Sequence, residues 1–206
     1  MQTNQTETKT METSNNTTEG FDFEKIRNQI VIELKKWPNL FIQIMTKPAS
    51  FTESLPTKGD WFVPAIYGAT AGLFAGVVSS IQIFQISLGS GLAAFISGIV
   101  TGAIGVYIGG GILNTVLMIF AKDPSFYRSI FLVSILSIFS VAGELGSFVM
   151  PFSGSIASLG YLYVIYFYSQ SCAGFTKKQA QILVGVLFVS AILPFLGLSG
   201  IMLSRY

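Results

Sequence analysis

Hydrophobic residues dominate the chain after position 60, and they occur in long uninterrupted runs. No charged residue lies between Trp61 and Ala121. A single helix of this length would extend about 90 Å, three times the hydrocarbon thickness of a bilayer, so the stretch must turn. The strongest turn signal inside it is Ser-Leu-Gly-Ser-Gly at 87–91. The pattern therefore predicts two membrane spans, near 62–86 and 92–120.

Three further apolar runs follow, near 129–150, 155–174 and 180–203. Each is long enough to cross a bilayer, for which a helix needs about 20 residues. Two turns separate them, at 150–154 and at 175–178. The pattern predicts an all-α membrane protein whose region 61–206 contains five transmembrane helices.

The first 60 residues have a different pattern. Residues 1–20 contain almost no apolar side chains, so we expect a disordered polar tail there. In the segment 21–60, apolar side chains recur at spacings of three and four, which is typical of one face of a helix. They are Phe23, Ile26, Ile30, Leu34, Trp37 and Phe41. Pro38 is expected to end or bend this amphipathic helix. The helix either lies in the membrane interface or docks, on a partner or on the rest of the chain.

Composition supports a membrane protein and excludes several classes of function. The chain is 51% hydrophobic and 11% charged, whereas soluble domains carry about 25% charged residues. A net charge of +2 is too small to indicate a nucleic-acid partner. Without histidine, the chain lacks Ser-His and Cys-His nucleophile pairs and zinc sites built from histidine and cysteine. We therefore expect no catalytic residue, no metal and no cofactor. The expected partner is the lipid bilayer.

Basic residues are distributed unequally between the two sides of the predicted bundle. Ten lie on the side of the N-terminus and only Arg205 lies on the other, leaving aside Lys9 in the tail. Because basic residues favour the cytoplasmic side, we expect the N-terminus in the cytoplasm and the C-terminus outside. The stretch 122–128 is then mainly a cytoplasmic turn rather than a dedicated site. The ten are Lys25, Arg27, Lys35, Lys36, Lys47, Lys58, Lys122, Arg128, Lys177 and Lys178.

Small residues form regular stripes on the first two predicted spans. Helices in lipid gain little from hydrophobicity against one another, so close backbone approach drives their pairing. We predict that these spans pack through their glycines, within one chain or between two copies of a homo-oligomer. The stripes are Gly68, Gly72 and Gly76 on the first span, Gly98 and Gly102 on the second, and Gly105 and Gly109 beside them.

Two polar residues in the predicted spans are candidate functional groups. Glu144 is the only acidic residue within the spans, and an intramembrane carboxylate that handles protons or ions is the default hypothesis. It lies roughly 24 Å beyond Arg128 along a helix, near the outer boundary. Because Gly143 and Gly146 flank it, the alternative is a broken helix end with the carboxylate hydrated or bound to backbone N–H groups. Asn114 on the second span can form a hydrogen bond between helices.

Short motifs occur in a fixed order around the predicted spans. Lys-Pro-Ala-Ser-Phe at 47–51 and Gly-Asp-Trp at 59–61 precede the first span. Ser-Phe-Tyr-Arg at 125–128 precedes the third, and Thr-Lys-Lys-Gln-Ala at 176–180 opens the fifth. With these motifs the chain resembles, over roughly 40–204, the Yip family, membrane proteins first defined as interactors of Ypt/Rab GTPases.

The resemblance implies five transmembrane helices and a cytoplasmic N-terminus. Eukaryotic members of the best-studied branch act in vesicle trafficking between the endoplasmic reticulum and the Golgi, and they carry an Asp-Leu-Tyr-Gly-Pro motif. This sequence lacks that motif, so a small GTPase is a partner by family analogy alone and no GTPase-contacting residue carries over. The chain looks most like prokaryotic members. The expected location is the cell membrane if it is prokaryotic, or the endoplasmic reticulum and Golgi if it is eukaryotic.

Two functions are compatible with these observations. The first is a non-enzymatic membrane organiser, scaffold or trafficking-type adaptor that acts on other membrane proteins through its cytoplasmic N-terminal region. The second is a small transporter or channel component that uses Glu144, Asn114 and the tyrosines of the fourth span. Transporters more often show inverted repeats or polar groups converging near the bilayer midplane, and neither is clear here. An enzyme is the most distant alternative, because the sequence shows no nucleophile–base pair or metal cluster.

Overall fold

The computed structural model of the chain describes residues 23–84, 87–119, 125–150 and 153–189. The predicted tail at 1–20, the start of the 122–128 turn and the end of the fifth predicted span lie outside these residues. Every regular element in the described residues is a helix, which confirms the all-α prediction. The helices are α1 (Phe23–Thr46), α2 (Pro48–Ser54), α3 (Phe62–Phe84), α4 (Leu88–Met118), α5 (Phe126–Ser147), α6 (Ser153–Ser171) and α7, described over 177–189.

Three of these helices are long and apolar enough to cross a membrane, namely α3 over Phe62–Ile81, α4 and α5. They lie where the sequence places its first three spans. Helices α6 and α7 lie at the positions of the fourth and fifth. The chain is therefore built around apolar helices of membrane-spanning length.

Helix α1 is longer than the sequence pattern predicted. It continues through Pro38 to Thr46, so the helix does not end at this proline. Pro38 lies on the exposed side of the helix. The helix ends where Lys47 precedes Pro48, because a residue before proline is disfavoured in the helical conformation.

The apolar face of α1 packs on the chain's own helices. Trp37 stacks on Tyr67 of α3 with ring centroids 6.0 Å apart. Phe41 contacts Phe139 of α5 with centroids 5.5 Å apart, and Ile44 has no exposed surface. Of the alternatives for the amphipathic helix, these contacts favour docking on the rest of the chain.

Helices α5 and α4 differ in how far they are buried. Helix α5 packs against α3, α4 and α6, and its Leu132, Ile135 and Leu136 are buried. Helix α4 lies at the edge of the bundle, where apolar side chains at every fourth position face outward. Such a face contacts lipid or another protein in a membrane. The exposed side chains are Leu92, Ile96, Val100, Ile104, Ile108 and Ile112.

Helix α5 continues without a break past Glu144 to its last residue. The alternative of a helix broken at Gly143 and Gly146 is therefore wrong, although Glu144 does lie in the last turn of α5. Both glycines instead allow α6 to approach α5. A Cβ added at Gly143 would lie 2.9 Å from the Cβ of Ala157, and one at Gly146 would lie 2.7 Å from the Cβ of Ser153. Both distances are shorter than van der Waals contact, so any larger residue would push the two helices apart.

Candidate functional site

The segment between α2 and α3 is fastened to the start of α5 by three side chains. We call this arrangement the junction and define it as the segment 55–61 together with Ser125, Tyr127 and Arg128. Each side chain donates a hydrogen bond to a different backbone carbonyl of the segment, so the path of the segment is fixed. The bonds are Ser125 Oγ to Thr57 O at 3.0 Å, Tyr127 Oη to Asp60 O at 3.0 Å and Arg128 Nε to Leu55 O at 3.0 Å.

Aromatic rings close the junction on the side of α3 and α4. Trp61 meets Tyr127 edge to face with centroids 5.1 Å apart, and it lies 6.0 Å from the ring of Phe126. The Tyr107 hydroxyl of α4 donates a hydrogen bond to the Trp61 carbonyl. A Cβ added at Gly59 would lie 2.5 Å from the Tyr127 hydroxyl oxygen. A side chain at residue 59 would displace the Tyr127 hydroxyl from the Asp60 carbonyl, so a glycine here favours the close passage of the segment along α5.

The junction brings together two short motifs that are distant in the sequence. Asp60 and Tyr127, for example, are 67 positions apart. The sequence predicts mainly a turn at 122–128, and this prediction does not include the binding role of the part at 125–128. The available signal was chemical, since a hydroxyl, a phenol and a guanidinium lie within one helical turn and can all donate hydrogen bonds.

Helix α2 is held at the C-terminal end of α6. The hydroxyl oxygens of Thr52 and Ser171 lie 2.7 Å apart. The Cys172 thiol donates a hydrogen bond to the Thr52 carbonyl with a distance of 3.0 Å. Phe51 and Leu55, at either side of Thr52, are buried in the core. The chain that precedes the first span is thus attached to α6 through α2 and to α5 through the junction.

A buried polar cluster, formed by Asn114, Ser129 and Tyr168, links α4, α5 and α6. Ser129 Oγ donates to Asn114 Oδ1 at 3.3 Å and lies 3.1 Å from the Tyr168 hydroxyl. Because a serine hydroxyl has a single proton, the Tyr168 hydroxyl donates to Ser129. All three residues are buried. Asn114, a candidate from the sequence, therefore forms a hydrogen bond between two helices.

A buried carboxylate that the sequence analysis did not single out lies on α1. Glu33 Oε2 accepts a hydrogen bond from the Tyr67 hydroxyl at 2.7 Å, and Oε1 accepts one from Lys36 Nζ at 2.7 Å. The Glu33 side chain is 12% exposed. Glu33 precedes Trp37 by four positions, so it lies on the apolar face of the helix. An acidic residue on an apolar face was the signal that could have identified it.

Glu144 and Asn114 do not meet in the structure. Asn114 binds Ser129 in the first turns of α5, whereas Glu144 lies about 22 Å further along the same helix. The Glu144 side chain is half-buried, and no hydrogen bond or ion pair to its carboxylate occurs among the described residues. The two candidate polar residues therefore lie near opposite ends of α5.

Glycines of α3 and α4 face each other along a line that we call the glycine seam, formed by Gly68, Gly72, Gly76, Gly98 and Gly102. A Cβ added at Gly72 would lie 2.1 Å from the Gly98 carbonyl oxygen, and one at Gly102 would lie 2.2 Å from that of Gly68. Both distances are too short for any side chain. The two helix backbones are therefore in direct contact along the seam.

The remaining two predicted packing glycines lie outside the seam. A Cβ added at Gly109 would lie 3.2 Å from a methyl carbon of Val133 on α5. A Cβ at Gly105 would meet nothing within 4 Å among the described residues, because Gly105 is on the exposed side of α4. Helix α4 thus carries small residues on its packed side and on its exposed side.

Two apolar grooves open on the surface of α6. One of about 570 Å³ lies between α1, α5 and α6, and one of about 470 Å³ lies between α6 and α7. Neither is lined by Asn114 or Glu144. Within the described ranges, no group of three His, Cys, Asp or Glu side chains is placed to hold a metal ion. The lining includes Phe41, Phe139 and Ile156 in the first groove and Leu162, Tyr166 and Phe188 in the second.

The family model of the Yip1 domain matches residues 42–199. This range contains the junction, the polar cluster, the glycine seam and the described helices from α2 to α7. No curated protein and no solved structure matches the chain. Because the model covers well over half of the sequence, and the short motifs around the spans point the same way, the chain belongs to the Yip1 domain family.

Proposed function

We propose that the protein is a non-enzymatic membrane organiser, a scaffold or trafficking-type adaptor that acts on other membrane proteins through its N-terminal segment. The junction is the observation that carries this proposal. Its three donors hold the segment 55–61 against α5 through backbone carbonyls. The chain before the first span is therefore kept in a defined place on the bundle, as a surface for a partner requires.

The proposal includes a topology of five spans, α3 to α7, with the N-terminus in the cytoplasm. Helices α6 and α7 line one groove and are joined by the short link 172–176, which supports an antiparallel pair. The basic residues beside α2 and at the starts of α5 and α7 support the orientation, since such residues favour the cytoplasm. A small GTPase is not part of the proposal, because the Asp-Leu-Tyr-Gly-Pro motif is absent.

Cysteine labelling tests this topology. In a Cys172→Ser background, single cysteines at Ser125 and Lys178 should be shielded from an impermeant thiol reagent in intact cells. Cysteines at Ser90 and Tyr206 should be labelled. Labelling at Ser125 without labelling at Tyr206 would reverse the proposed orientation.

The exposed face of α4 is the proposed contact with a second copy or with another membrane protein. Gly105 and the outward isoleucines lie on this face, where small residues would permit close approach of a helix. A photo-crosslinker at Ile104, used in native membranes and followed by mass spectrometry, should form discrete protein adducts. Ile182, exposed on α7, is the matched control. Lipid adducts alone at both positions would contradict this contact.

The transporter alternative has less support. A transport pathway needs polar groups that converge on one route through the membrane. Asn114 and Glu144 lie near opposite ends of α5, and Asn114 is engaged in the polar cluster. The organiser proposal requires no such route.

A further inference from the structure

Four lysines lie on exposed positions around α2 and around the link from α6 to α7. Lys47 precedes α2, Lys58 belongs to the junction segment, and Lys177 and Lys178 open α7. None of the four forms an ion pair among the described residues. The two ion pairs described there, Arg27–Glu24 and Lys36–Glu33, are both on α1.

The contacts of α2 place the four lysines at the same end of the bundle. Thr52 in α2 binds Ser171 at the end of α6, and α7 begins shortly after that residue. The junction segment, which contains Lys58, is bound to Arg128 at the start of α5. We call these four side chains the lysine cluster.

Acidic residues at this end do not cancel the positive charge of the lysine cluster. Glu53 and Asp60 are both exposed there. Asp60 Oδ1 accepts a hydrogen bond from the Phe62 backbone N–H at 2.9 Å, which leaves its negative charge in place. These two carboxylates stand against the four lysines. Arg128 adds a further positive charge. The described groups at this end therefore carry a net positive charge.

The lysine cluster lies where the apolar helices begin. Helix α3 starts at Phe62 and α5 at Phe126, directly beside the junction. The exposed Trp61 packs there against two aromatic rings, and tryptophan and tyrosine collect at the level of lipid headgroups. We therefore expect the headgroup layer to meet the protein at this end, at the level of the junction.

We infer that the lysine cluster binds the headgroups of anionic phospholipids. The partner follows from charge and position, because ammonium groups without an ion pair among the described residues complement a lipid headgroup whose net charge is negative. A lysine close to an anionic membrane surface strengthens association about fivefold, and salt weakens the effect. The inference does not depend on which side of the membrane this end faces.

The test uses the full chain in nanodiscs that contain phosphatidylcholine and phosphatidylglycerol. Native mass spectrometry of the released protein measures which lipid is retained. We expect the parent to be enriched in phosphatidylglycerol relative to the bulk mixture. A variant with all four lysines changed to glutamine should lose this enrichment at least severalfold, and Glu53→Gln should increase it. Added salt should reduce the enrichment of the parent.

A charge-conserving variant is the matched control. Changing the same four lysines to arginine keeps the charge, so the enrichment should persist. Both the glutamine and the arginine variant should unfold thermally like the parent, because the four positions are exposed. Absence of enrichment in the parent would overturn the inference. That result is expected if the lysine cluster binds an acidic protein instead of lipid. Equal enrichment in the parent and in the glutamine variant would overturn it as well. So would loss of enrichment in the arginine variant, since charge would then not be the cause.

Discussion

The glycine seam and the junction hold parts of the chain together by opposite means. In the seam, side chains are absent and two helix backbones touch directly. In the junction, side chains of α5 reach across to the carbonyls of a segment without helical structure. The difference follows from the state of the backbone. Along the seam, helices α3 and α4 satisfy their own N–H and C=O groups, so van der Waals contact joins them there, whereas the segment 55–61 has carbonyls that need donors.

The seam should therefore be the more sensitive of the two to a change in volume. Gly72→Leu or Gly102→Leu places a side chain where the opposite helix has backbone atoms, which cannot move aside as a flexible side chain can. We expect a loss of about 3 kcal/mol or more in the free energy of unfolding. Thermal unfolding in detergent, followed by circular dichroism, measures the loss.

Two controls belong to this experiment. Gly105→Leu adds the same side chain on the open side of α4 and should unfold like the parent. Leu117→Ile changes the shape of a buried side chain at constant volume and should cost little. If Gly72→Leu and Gly105→Leu unfold at the same temperature, the two helices do not touch along the seam.

The polar cluster shares one feature with each region. It joins helices, as the glycine seam does, and it joins them through hydrogen bonds, as the junction does. Ser129→Ala removes the partner of Asn114 and of the Tyr168 hydroxyl at once, in a buried site. We expect destabilisation by about 2 kcal/mol, measured by the same thermal unfolding. Ser158→Ala is the control, since Ser158 is exposed and binds only the Gly154 carbonyl of its own helix. Equal effects of the two changes would show that the cluster does not link the helices.

Loss of one hydrogen bond in the junction should affect mainly the segment 55–61 and not the whole fold. Arg128→Gln removes the donor to the Leu55 carbonyl and should cost about 1 kcal/mol. Hydrogen exchange should become faster in 55–61 and stay unchanged along the seam, because the two contacts share no residue. Arg27→Gln, which affects only an exposed ion pair on α1, should leave exchange in 55–61 unaltered. Unchanged exchange in Arg128→Gln would mean that this bond does not hold the segment.

The smallest effect is expected at Glu144, which belongs to neither region. Its carboxylate has no described partner and α5 does not need it for continuity. Glu144→Gln should change the free energy of unfolding by less than about 0.5 kcal/mol. Protein reconstituted in vesicles should show no proton flux in either form. Flux in the parent that disappears in Glu144→Gln, with stability unchanged, would make transport the better proposal.

The sequence could predict what depends on periodic patterns. The apolar runs gave the positions of α3, α4 and α5, because a helix that crosses lipid must be apolar along its whole length. Small residues at intervals of four marked α4 as a helix suited to close approach. They could not tell which side meets α3, because Gly102 and Gly105 give the same signal on two faces of one helix.

Other features depend on tertiary contacts that leave no periodic signal. Helix α1 continues past Pro38 because Trp37 before the proline and Phe41 and Ile44 after it pack on the bundle. This packing offsets the backbone hydrogen bond that is lost at proline. The junction depends on side chains that bind carbonyls, and a carbonyl is present at every residue. Only the fold reveals that Tyr127 meets Asp60.

The hydrogen bond from Cys172 to Thr52 makes the reactivity of this thiol a measure of the contact between α2 and α6. Cys172 is the only thiol in the chain, it is half-buried, and its proton is engaged with α2. A thiol must be exposed and ionised to be alkylated. The rate at which the unmodified protein reacts with a small alkylating reagent should therefore rise when α2 separates from the end of α6. Partner binding to the N-terminal segment could thus be followed in native membranes without any added label.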